Sequence, residues 1–173
     1  IPGFGYGKIN TAYYLGEANQ LPGGGPELAT QTVENLLGVQ VDYFAQIDFY
    51  VFERLIDEIG GVVVNVQAEM KIDPIGQYNT KILQPGEQRL YGPEALAYAR
   101  ARYTEGGDFD RALRQQQVIK AVGRRVFKPA FFPVLLTRAP KIYEDLASGI
   151  HTNMTFDEAI QFAWLVKDID LST

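Results

Sequence analysis

Apolar residues recur along this chain in two rhythms, one of period near 3.6 and one of period 2. Leu28, Val33, Leu36 and Leu37 fall at roughly helical spacing. The breaker "LPGGGPE" (21–27) precedes them, Pro26 fits a first helical position, and Gly38 fits the residue just past the end. Val41, Tyr43, Ala45 and Ile47 then alternate as a strand does. Phe52, Leu55, Ile56 and Ile59 return to helical spacing over 49–61 and stop at Gly60-Gly61. "VVVNV" (62–66) is β-branched and predicts a strand. Residues 1–25, rich in Gly and Tyr, read as an irregular loop, and 67–91 as an excursion with turns at "DPIGQYN" and "QPGEQ". Pro93 opens a helix expected to end near Ala99, after which "RAR" continues as a strand or extended exit. Over 110–126, Ala112, Val118, Ile119 and Val122 lie close to one stripe of an amphipathic helix. Pro129, Pro133 and Pro140 break the next stretch into short segments. A last helix spans 152–166, with Thr155 as N-cap and Glu158 completing a capping box. Helices alternating with strands, without repeat, low-complexity tract or linker, predict one layered α/β domain over 1–173.

Composition narrows the function classes. A chain of 173 residues with 46% hydrophobic and 21% charged residues is globular in type. Its net charge of −5 disfavours a general nucleic-acid binder, which needs a basic surface. Without Cys it has no disulfide, thiol nucleophile or cysteine metal site. One histidine, His151, is too few for a His-rich metal site and reads as an exposed loop residue, while Trp164 reads as packing under the last helix. "AFFPVLL" (130–136) is too short to span a bilayer and contains Pro133. The opening "IPGFGYGKIN" reads like the interior of a longer protein, so an N-terminal segment is expected to precede it.

Against this acidic background, "AYARARYTEGGDFDRALRQQ" (97–116) collects Arg100, Arg102, Arg111 and Arg114. On an extended segment Arg100 and Arg102 share a face; on a helix they diverge by about 200°. Asp108, Arg111 and Gln115 stand at i, i+3 and i+7 and line one face of the following helix, with Arg114 to its side. Asp108 sits where an acid favours a helix start. Guanidinium forks suit phosphate and pyrophosphate, so the set reads as a polyanion clamp. Spacing alone equally allows solvated arginines paired with Glu105, Asp108 and Asp110.

"LYGPEALAYARARY…GDFDRALRQQQVIKAV" resembles the signature region of the LytR-CpsA-Psr (LCP) family, an L-x-G-x-x-A-L-x-Y-x-R-x-R run followed by D-F-x-R-x-x-R-Q-Q. "IPGFGYGKINTAYYLG", "VDYFAQIDFYVFERLIDEIGGVVVNV" and "HTNMTFDEAI" resemble further family segments in the family's order. The resemblance implies a mixed central β-sheet flanked by helices on both faces. It implies a phosphotransferase that moves an anionic glycopolymer, of teichoic acid, capsular polysaccharide or arabinogalactan type, from a polyprenyl-pyrophosphate carrier to a muramic acid hydroxyl of peptidoglycan. The enzyme would be anchored at the extracytoplasmic face of the bacterial plasma membrane, assisted by Mg²⁺, with the lipid tail in an apolar tunnel. By resemblance Arg100, Arg102 and Arg111 grip the pyrophosphate, Gln115 completes the grip, and Asp108 is an acid beside the reaction centre. Lys8 and Asn10 belong to the "KIN" loop beside the site, and Arg114 is a structural brace through an ion pair. The family's acidic metal ligands and an S-x-P-R-D-like arginine motif do not occur in this chain. They, one or more core strands and the anchor are expected upstream of Ile1, and the chain by itself is expected to be weakly active or inactive. Tyr13, Tyr14, Phe44, Phe49, Phe52, Val118, Val122 and 131–136 are tunnel candidates by resemblance and ordinary core by composition. Two further readings stand beside the enzyme: a non-catalytic module that binds polyprenyl phosphate or glycan, and a cell-envelope-related transcriptional attenuator.

Overall fold

A computed structural model describes residues 1–75, 80–102, 104, 106–126, 128 and 149–166. Its contacts gather into two compact units, Ile1–Gln46 with Thr152–Ala159, and Ile47–His151 with Ile160–Thr173.

In the first unit, the segment expected to be an irregular loop holds a helix and the start of a second. A 3₁₀ turn, Ile9–Thr11, leads into α1 (Ala12–Ala18). Helix α2 (Gly24–Leu37) follows and packs on α1. The glycines that made 1–25 look irregular are what let the helices touch. A Cβ on Gly16 would lie 2.4 Å from the Gly24 carbonyl oxygen, and one on Gly25 would lie 2.6 Å from that of Tyr13. Glu17 of α1 accepts the Gly25 N–H at 2.7 Å, placing a carboxylate at the positive end of α2. Pro26 is the third residue of α2, not the first, and Gly38 ends the helix in a left-handed conformation, φ 67°. Of the strand predicted over 41–48, only Ala45–Ile47 (β1) is extended in a ladder.

The second unit carries the larger core. Asp48 caps α3 (Phe49–Glu58) by accepting the Val51 N–H at 2.7 Å. The chain then turns through Gly60 and Gly61 into β2 (Val62–Val66), whose residues are alternately buried and exposed. Part of the expected 67–91 excursion is strand: β3 (Met70–Ile72) pairs antiparallel with β4 (Lys81–Leu83), and β5 (Gly86–Leu90) pairs antiparallel with β2, Val62 opposite Leu90. Turn residues hid these strands, because each is short and β5, "GEQRL", has little β-branched character. Helix α4 (Gly92–Arg100) packs on α3, and a Cβ on Gly92 would meet the Glu53 carbonyl oxygen at 2.2 Å. Helix α5 (Gly107–Val126) packs on α4 and β2. Ile56, Ile59, Val62, Val64, Val66, Leu90, Tyr98, Val118 and Ala121 share one core.

The stripe predicted on α5 is rotated. The buried row is Arg114, Val118 and Ala121, while Ala112 is exposed and Ile119 is 70% exposed. At about 100° per residue, Ala112 and Ile119 lie roughly 140–160° from Arg114. Burial of a hydrogen-bonded arginine decides the face, and apolar periodicity does not contain that information. His151, expected in a loop, lies in a short strand, β6 (Ile150–Thr152). The last helix, α6 (Phe156–Val166), starts four residues later than the expected 152 but at the expected cap: Glu158 accepts the Thr155 N–H at 2.8 Å, and its own N–H donates to the Thr155 hydroxyl at 3.3 Å. The 131–136 segment and the side chain of Trp164 lie outside the described residues. Among those residues, no helix is long and apolar enough to cross a membrane. The α/β class holds, with short antiparallel ladders and packed helices.

Candidate functional site

The arginine-rich stretch folds as the end of α4, a short exit and the start of α5. Arg100 is the last residue of α4, one beyond the expected end, and Ala101 is extended, φ −57° and ψ 134°. The guanidinium of Arg100 lies over the Phe49 ring, 4.8 Å from its centroid. Arg102, beyond Ala101, points to the first turn of α5. There Asp108 Oδ1 stands 3.6 Å from Arg102 Nε and 3.4 Å from Arg111 Nη1. One carboxylate therefore holds two guanidiniums from different segments. Asp108 and Arg102 have side chains 74% and 63% exposed, against 26% for Arg111. The pair is open to an incoming anion and holds more positive than negative charge.

Arg114 supports this arrangement from below. It is only 7% exposed, it donates from Nη2 to the Ala101 carbonyl, and Nη1 reaches the Thr104 hydroxyl at 3.4 Å. Its bracing role thus runs through a carbonyl and a hydroxyl of the segment joining α4 to α5, where the sequence suggested an ion pair. Gln115 extends Nε2 toward the Ala99 carbonyl at 3.4 Å, close to the end of α4. Asp110, a candidate arginine partner by spacing, instead accepts the Gly106 N–H at 3.1 Å and closes the first turn of its own helix.

Below the site, burial pushes the Tyr98 hydroxyl up from its ordinary range, with the Arg114 charge opposing. That hydroxyl donates to Gln117 Oε1 at 2.6 Å, tying α4 to α5. Burial also pushes the Glu53 carboxyl up, the Asp57 charge adds to this, and Arg100 pulls it down. Arg100 therefore sits in a field set partly by α3. Sequence reasoning missed Phe49 and Glu53 as its surroundings, since they are distant in sequence and carry no local signal.

Lys8 and Asn10 belong to the first unit. Lys8 caps the 3₁₀ turn, its carbonyl accepting the Thr11 N–H at 2.9 Å and hydroxyl at 2.7 Å, and both side chains are exposed. Of the tunnel candidates, Val118 is core, Phe52 and Val122 pack against that core, and Tyr14 and Phe49 are exposed. Among the described residues no group of three or more His, Asp or Glu side chains is placed to hold a metal ion. Asp108, the nearest acid to the cluster, already serves two guanidiniums. The described residues thus offer no acid cluster for Mg²⁺, and the charge at this site is that of the arginines.

With this geometry in place, comparison with known proteins is informative. A family model described as the LytR_cpsA_psr family matches residues 1–172. The Regulatory protein MsrR of Staphylococcus aureus is 39% identical over 156 residues, 89% of this chain and 42% of MsrR. The polyisoprenyl-teichoic acid–peptidoglycan teichoic acid transferase TagU of Bacillus licheniformis is 34% identical over 152 residues, 87% of this chain and 44% of TagU. The chain thus spans less than half the length of these relatives. The crystal structure of B. subtilis TagV superposes with a TM-score of 0.76 at 29% identity, covering 99% of this chain and 62% of TagV.

Proposed function

The chain belongs to the LytR_cpsA_psr family, and on that premise we propose that it is part of a phosphotransferase of cell-envelope assembly. Its donor is an anionic glycopolymer on a polyprenyl pyrophosphate, its acceptor a peptidoglycan hydroxyl, and its place the extracytoplasmic face of the bacterial plasma membrane. The name of TagU supports this donor and acceptor class for a relative. The observation that carries the reading is the Arg102–Asp108–Arg111 cluster, open to solvent and set on two helix ends.

In this reading the acceptor oxygen attacks the phosphorus that bears the glycan. The new O–P bond forms as the bond from that phosphorus to the bridging oxygen breaks; polyprenyl phosphate leaves with the electron pair, and the proton of the acceptor hydroxyl passes to solvent. Negative charge builds on the bridging and non-bridging oxygens, where preorganised donors lower the barrier most. Arg102 and Arg111 supply bidentate forks, and Arg100 adds a third guanidinium from α4. Asp108 holds two forks in register before substrate arrives, so less ordering is left for the transition state. Gln115 completes the cradle with neutral donors. Assisting Mg²⁺ belongs to residues other than those described.

Removing one donor preorganised toward the charge that builds in the transition state costs about 2.7–4 kcal/mol, roughly two to three powers of ten in rate. Arg102→Ala, made in the protein that carries this chain, is expected to cut glycopolymer transfer from a polyprenyl-pyrophosphate donor by orders of magnitude with its melting temperature unchanged. Near-normal transfer in that variant overturns the assignment.

A further inference from the structure

A second set of cations surrounds a cavity of about 520 Å³ at the other end of α5. From Asp108 to Arg124, at about 1.5 Å per residue, is about 24 Å along the helix, so the cavity is separate from the arginine cluster. Its walls include Arg89 of β5, Arg124 and Arg125 of α5, and Lys128, faced by Asn65 and Glu87. Four cations meet one carboxylate in a chain whose net charge is −5.

The backbone seats two of these cations. Gly60 and Gly61, at φ 78° and 80°, turn the end of α3 so that its last carbonyls face them. Arg125 Nε donates to the Ile59 carbonyl at 2.7 Å, and Arg89 Nη1 donates to the Gly60 carbonyl at 3.0 Å. A Cβ on Gly60 would come within 3.0 Å of Arg125 Nη2, and one on Gly61 within 3.3 Å of Arg89 Cγ, so the glycine pair also makes room for both side chains. A guanidinium has five N–H donors, and one bond to a carbonyl fixes the fork while leaving others to a ligand. Arg125 has other partners as well, so the cations on offer are Arg89, Arg124 and Lys128. Among the described residues none of these three is in an ion pair.

The dipole of α5 favours Arg124 and Arg125 in its last turn. It does not account for Arg89, which arrives from a strand, or for the concave shape they enclose together. We propose that this cavity binds a phosphate group, held by the guanidinium forks, with the Asn65 amide as a neutral donor. Its volume is in the range of small-ligand pockets, roughly 300–1,000 Å³, so a phosphosugar or polymer phosphodiester unit fits its scale.

The test titrates inorganic pyrophosphate into the full isotope-labelled chain at low ionic strength and follows the arginine Nε–H signals by NMR. In Arg102→Ala, which alters the first cluster, the Arg89 and Arg124 signals are expected to keep a saturable shift with little change in midpoint. In Arg124→Gln/Lys128→Gln, both at exposed positions, the Arg89 midpoint is expected to rise at least tenfold while Arg111 still responds. Unmoved Arg89 and Arg124 signals in the unaltered chain, or the same Arg89 midpoint in the double variant, overturn the proposal. So does a double variant that loses sedimentation with phosphatidylglycerol vesicles but keeps its pyrophosphate response, which would mark a flat membrane contact. The readout is binding, so the result stands apart from the transferase reading.

Discussion

Two carboxylates, Asp108 and Glu158, show how much a single residue can organise. Asp108 gathers two guanidiniums that reach it from opposite sides of a loop. Glu158 gathers donors: the Thr155 N–H at 2.8 Å, the Thr155 hydroxyl at 2.6 Å and the Tyr43 hydroxyl at 3.1 Å. These bonds, the Thr155 hydroxyl first, hold the Glu158 carboxyl below its usual range, and the same contact pushes the Tyr43 hydroxyl up. A carboxyl whose folded pKa is depressed contributes stability above its unfolded pKa and loses it as pH falls through the folded one. Glu158→Gln is therefore expected to lower the melting temperature at neutral pH, with the difference from the parent closing as pH drops below the carboxylate range. A difference independent of pH would mean that ionisation of Glu158 contributes nothing. The Thr155–Glu158 box was legible because its partners stand three apart, within reach of any helix start. The seat of Arg100 on Phe49 was not, since only the packing of α4 on α3 brings them together.

Among elements, the helices meet where a side chain is missing. Gly16 lets α1 close on α2, and Gly92 lets α4 close on α3, each with a backbone oxygen inside the space a Cβ would occupy. The sequence reads Gly16 as a sign of irregularity, because glycine weakens an isolated helix. In the folded unit the contact it permits outweighs that cost. Gly16→Ala is expected to destabilise the chain by about 1–3 kcal/mol, the cost of overpacking a tight contact. A denaturant titration would show a lower midpoint with an unchanged slope. An unchanged midpoint would mean that the two helices separate without cost. On α5 apolar spacing finds only half of the buried face: Val118 and Val122 meet the core, while Ala112 and Ile119 are exposed. Arg114 is buried with its two Nη atoms held by the Ala101 carbonyl and the Thr104 hydroxyl, while its buried Nε has no hydrogen-bond partner among the described residues.

At the scale of the molecule, the arginines are local exceptions in a chain of net charge −5. Two compact basic clusters lie toward opposite ends of α5, in a chain whose net negative charge disfavours the broad basic face that duplex DNA requires. The chain is therefore expected to show no salt-sensitive binding to duplex DNA in a titration from low to physiological ionic strength. A steep salt dependence would instead favour a nucleic-acid role for this relative of a protein named as regulatory. The sequence by itself determined the family, the α/β class, α3 and β2, the caps at Gly38 and Thr155, and the residue types of the candidate site. Each of these rests on short-range order: helix periodicity, β-branched runs, capping within one turn, or a contiguous motif. Only the tertiary structure decided that 12–18 is helical, that "GEQRL" pairs with "VVVNV", that Asp108 joins Arg102 to Arg111, and that Arg89 shares a cavity with the end of α5. Those outcomes depend on which surfaces come together, and a contact between distant segments leaves no period in the chain to read.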